Sequence, residues 1–190
     1  MSKAEIGLAV VGRMESTGVG IQLALQQAEA AARLGDVDQM HRSLAIARTL
    51  LSTHEPPSNP MNHFRFDHSK FDVRQMRILL IVGADDEAEP IALRLKNELE
   101  RTDGSSAHPM RSSEVLAGLA LIAARRNDVE QALVYAHESI EIGRRSRLSF
   151  RQIIGSVLKE LQRHRGDSGV QSFLDQHATL TGPADHTLRP

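Results

Sequence analysis

The sequence predicts an all-α protein made of antiparallel helical hairpins stacked one on the next. Three observations predict it. No segment alternates apolar and polar residues with a sustained period of two, so no strand is expected. Hydrophobic residues make up 41% of the 190 residues but aromatics only 3%, with no Trp and one Tyr. Alanine and leucine dominate instead, which suits helices that cross closely. Finally, a phrase returns: "RLGDVDQM" begins at Arg33 and "RRNDVEQA" begins at Arg125.

The elements follow in order. "GIQLALQQAEAAARL", from Gly20 to Leu34, holds strong helix formers throughout, and Gly35 can end it in the left-handed conformation. Asp36 starts a second helix, with Gln39 three residues on in a capping-box pattern. Its apolar stripe is Met40, Leu44, Ala47 and Leu51. Residues 53–69 form a long loop rich in proline, asparagine and histidine. Asp72, answered by Gln75, is expected to cap "VRQMRILLIVG", and "ADDEAEPIALRLKNELER" is its partner helix. Pro90 should lie in the first turn of that partner, where no internal hydrogen bond is lost. After "TDGSSAHPM", the helix "SSEVLAGLALIAARR" runs to Asn127, and Asp128 with Gln131 caps "VEQALVYAHESIEIGRR". Ser149 and Gln152 form a further box for "FRQIIGSVLKELQRH"; Gly166 to Gly169 turn the chain into a last short helix, "VQSFLDQHATL". One domain over residues 1–180 results, with hairpins at about 5–52, 70–102, 112–146 and 149–179. Residues 181–190 are a polar tail.

Composition limits function. There is no cysteine, so neither disulfides nor thiolate chemistry. No run of eighteen apolar residues could span a membrane, and "MSKAEIGLAVVGRMES" is a poor signal peptide. A cytoplasmic location is the simplest expectation. Net charge is −1, without the basic excess of a stand-alone nucleic-acid binder.

The recurring phrase sets a register. The turns end at Met40, Ala88 and Ala132, a spacing of 48 and then 44 residues. Four positions on stand Leu44, Ala92 and Ala136, and three beyond those Ala47, Leu95 and Ser139. Self-similarity at such a period signals stacked hairpins, because no hairpin buries its apolar face alone.

The pattern resembles a degenerate tetratricopeptide-type solenoid. Leu116, Leu119, Ala120 and Ala123 on one helix and Ala132 and Ala136 on the next carry the likeness. The usual large aromatic is replaced by Ala123, the terminal proline by Arg144, and a small residue of the first hairpin by Met40. Residues 60–175 are also similar to the C-terminal region of actinobacterial, Xre-like helix-turn-helix transcriptional regulators. That resemblance rests on His63-Phe64-x-Phe66-Asp67, on Pro109-Met110-Arg111 and on the stretch from Arg145-Ser146 to Gln152. It implies a helical region that senses a ligand or partner.

At the first turn, Gln27, Ala31, Gly35, Val37 and Leu44 also have the spacing of a helix-turn-helix. Its recognition helix would offer only Gln39, His41 and Arg42 to bases, with no basic flank. The repeat explains the same residues and the second phrase as well, so direct DNA binding by this chain is not expected.

In solenoids of the family it resembles, first helices line the concave face. That face would carry Gln22, Gln26, Glu29 and Arg33, then Lys70, Arg74 and Arg77, then Glu114, Leu121 and Arg125. Arg74 and Arg77, three apart beside apolar residues, could take a carboxylate ligand, or could pair with acids such as Glu87 or Glu89. Arg144, Arg145, Arg147 and Arg151 form the most basic stretch, read either as an anion or partner patch or as a charged helix end. His54, His63, Asp67 and His68 cluster in the long loop, but the spacing matches no standard metal site. His41, His137, His164 and His177 stand alone on helices.

No cofactor and no catalytic set is expected: there is no Gly-x-Ser-x-Gly and no phosphate-cradling glycine loop. Binding of a peptide, small molecule or partner protein is the first expectation, as the sensor and dimerisation part of a transcriptional regulator, with a homodimer as one form. A free-standing adaptor is the second, and an enzyme without recognisable motif the third.

Overall fold

The computed structural model describes residues 18–54, 66–100, 108–143 and 148–177, with the backbone alone for 143 and 148–152. Among the described residues the chain is helical throughout and holds no β-strand. The helices are α1 (Gly18–Arg33), α2 (Val37–Ser52), α3 (His68–Ile81), α4 (Asp85–Leu99), α5 (Pro109–Arg125), α6 (Val129–Gly143), α7 (Leu148–Leu161) and α8 (Ser168–Gln176). A single 3₁₀ turn, Gln162–His164, follows α7. None of these helices is long and apolar enough to cross a membrane.

The recurring phrase is a recurring turn. In the first, Gly35 is left-handed at φ 76°, its N–H donates to Ala32 C=O at 3.1 Å, and the Asp36 N–H donates to Ala31 C=O at 2.9 Å. In the second, Gly83 has φ 75°, with Gly83 to Leu80 at 3.4 Å and Ala84 to Leu79 at 3.1 Å. In the third, Asn127 has φ 63°, with Asn127 to Ala124 at 3.1 Å and Asp128 to Ala123 at 3.0 Å. This is the Schellman arrangement, which uses a left-handed residue to satisfy the last carbonyls of a helix. Glycine takes that conformation freely, and asparagine is among the residues that tolerate it best.

Each turn then starts the next helix in the same phase. Met40, Ala88 and Ala132 donate the first helical hydrogen bonds, to Asp36, Ala84 and Asp128, each at 3.0 Å. The Asp36 carboxylate accepts from the Gln39 N–H at 2.9 Å, and Asp128 accepts from Gln131 at 3.1 Å. Ala84 has no side chain for this; acidic Asp85, Asp86 and Glu87 occupy the first turn of α4 instead, where the helix dipole favours negative charge. With the phase fixed, all nine register positions are buried: Met40, Ala88 and Ala132; Leu44, Ala92 and Ala136; Ala47, Leu95 and Ser139.

Three local expectations need correction. Asp67, not Asp72, caps α3, accepting from the Lys70 N–H at 2.8 Å; the helix therefore begins at His68, and Asp72 lies inside it. Pro90 sits inside α4 at its sixth residue, not in the first turn, so the carbonyl of Asp86 loses its usual helical donor. At Asp36 the box is half formed: the Gln39 side chain donates to Ser43 and accepts from Arg42 rather than returning to the cap. The pair Ser149 and Gln152 lies outside the described side chains.

The chain divides into two compact units, residues 1–91 and 92–190, and the division falls within α4. In the first unit, α1 packs against both α2 and α3. Ile21, Leu25 and Ala28 of α1, Met40 of α2 and Met76 and Leu79 of α3 are fully or almost fully buried. The Arg48 guanidinium of α2 donates at 3.1 Å to the side chain of Gln75 on α3, which is itself buried.

In the second unit, α5 packs against both α6 and α7, and α8 packs against α6 and α7. The crossing of α5 and α6 is drawn close by two serines with no exposed surface: the Ser113 hydroxyl donates to Ser139 C=O and the Ser139 hydroxyl to Ser113 C=O, both at 2.8 Å. Such reciprocal bonds satisfy both hydroxyls where water cannot reach. Asp167 caps α8, accepting from the N–H groups of Gly169 at 2.8 Å and Val170 at 3.0 Å.

Candidate functional site, a cationic cluster on α1 and α3

The residues of α1 and α3 proposed to line one face fall on two stripes of helical spacing. On α1 these are Gln22, Gln26, Glu29 and Arg33, and on α3 they are Lys70, Arg74 and Arg77. Gln26 and Arg33 are exposed; Gln22, Glu29, Lys70, Arg74 and Arg77 are part-buried. The core stripes lie on other faces of the same helices: Ile21, Ala24, Leu25 and Ala28 on α1, and Val73, Met76, Ile78 and Leu79 on α3.

Packing of α1 on α3 brings four of these side chains into one electrostatic cluster. The Arg33 guanidinium donates to Glu29 Oε1 at 2.8 Å across one helical turn. Burial pushes the Glu29 carboxyl up, but the hydrogen bond from Arg33 and the positive fields of Arg77 and Arg74 outweigh it, leaving the group below the usual Glu range. The positive fields of Arg74 and Arg77 on α3 thus reach a carboxylate on α1. The Glu29 side chain retains 22% of its accessible surface and that of Arg33 retains 51%, so this pair is accessible to solvent. At the start of α3 the Lys70 ammonium lies 5.1 Å from the ring centre of buried Phe66, a cation–π contact.

In the second unit the corresponding line on α5 is different. Glu114 and Arg125 are part-buried, but Leu121 between them is buried, as is Gly118. The open polar stripe therefore belongs to α1 and α3. Arg144, Arg145 and Arg147 lie outside the described residues, and Arg151 falls on α7 with its side chain outside them.

Of the loop set, His63 lies outside the described residues. Asp67 is the cap of α3, also accepting from the Ser69 hydroxyl at 3.0 Å, and His68 is exposed at the first helical position. Among the described residues no three His, Asp or Glu side chains gather as a metal ion would require. Two histidines that stand alone in the sequence do meet. The rings of His137 on α6 and His177 just past α8 each lie 4.8 Å from buried Phe173, edge to face, and 6.1 Å from each other. Neither this trio nor the Ser113–Ser139 and Arg48–Gln75 pairs carries a sequence motif, because each joins residues of different helices.

No protein-family profile matches this chain, and neither a curated protein nor a solved structure matches it.

Proposed function

We propose that the chain is a binding module: a tetratricopeptide-like helical-repeat region that acts in the cytoplasm as the sensor and dimerisation part of a transcriptional regulator. The observation that carries this reading is the solvent-accessible Arg33–Glu29 pair on α1, lying within the positive fields of part-buried Arg74 and Arg77 on α3, two helices that each begin a hairpin of the register. Guanidinium groups are suited to planar carboxylates, which they hold through paired hydrogen bonds. Support for the solenoid comes from the three like turns and from the packing. In each unit a first helix, α1 or α5, contacts both its own partner and the first helix of the following hairpin, α3 or α7.

The test is native mass spectrometry of the purified chain, followed by gentle denaturation of whatever it holds. A retained acid or peptide that is lost in Arg74→Ala/Arg77→Ala supports the reading. A bare chain that captures a larger protein through the same arginines makes it an adaptor instead. Turnover of a substrate would overturn a pure binding role.

A further inference from the structure

We draw no further inference here: the strongest candidate, the surface patch at the turn from α1 to α2 where Leu34 and Val37 stand exposed, carries none because nothing in the structure shows what covers it.

Discussion

Gly35→Ala and Gly155→Ala make the same chemical change, and the structure assigns them opposite signs. An added Cβ meets nothing within 4 Å at either position, so packing drops out of the comparison. At Gly35 the backbone is left-handed, with φ 76°, and an L-residue there costs about 1–2 kcal/mol. Alanine also restricts the unfolded chain, which returns about 0.4–1 kcal/mol. The net expectation is a loss of about 1 kcal/mol. Gly155 lies inside α7 with no positive φ, where alanine is the better helix former by about 0.8–1 kcal/mol. The two variants should thus differ by about 2 kcal/mol, or about 4–8 °C in melting temperature for a chain of this size. Urea unfolding followed by far-UV circular dichroism reads both. A neutral or stabilising Gly35→Ala would refute the left-handed turn, and with it the account of why the phrase recurs. Gly83→Ala should behave like Gly35→Ala, since its φ is 75° and its surroundings are equally open.

Three further expectations are as direct. Ser113→Ala and Ser139→Ala each remove one buried hydroxyl bond and should cost about 1 kcal/mol, measured by the same unfolding assay; a neutral result for both would mean that the reciprocal bonds add nothing at the α5–α6 crossing. Asp128→Ala should lose about 1 kcal/mol with the cap of α6, while Asp128→Asn retains most of it; equal losses would argue that charge rather than capping acts there. Glu29 has a folded-state pKa below its unfolded one, so its stabilisation is complete above the ordinary Glu value of about 4.3 and fades as pH falls through the lower folded value. Wild type should therefore lose more stability than Glu29→Gln between about pH 5 and 3, and parallel pH profiles would show that the arginine cluster does not favour the ionised form.

The limits of local signals appear in particular elements. The caps at Asp36 and Asp128 were legible because a cap needs only the residues that follow it. The cap of α3 was not. Asp72 and Gln75 have the same spacing as Asp128 and Gln131, and Asp67 is hidden among loop residues. Gln75 is needed elsewhere: it is buried and accepts from Arg48, twenty-seven residues away. Pro90 departs from its expected place for a related reason. Proline is most easily housed in a first turn, yet α4 runs on through it at a position where it is exposed and only one backbone bond is forgone.

The sequence by itself determined the helical class, the position of each tight turn and the phase of the helix after it. Those are one-dimensional facts: a left-handed residue, a capping side chain and a periodic apolar stripe act within a few residues of each other. The residues that could bear charge on α1 and α3 were legible for the same reason. Their convergence was not. That Arg74 and Arg77 bear on Glu29, that Leu121 is buried where its counterparts on α1 and α3 are open, and that His137 meets His177 through Phe173 depend on which helix packs against which. Those contacts join residues far apart in the chain, and no local pattern encodes the distance between them.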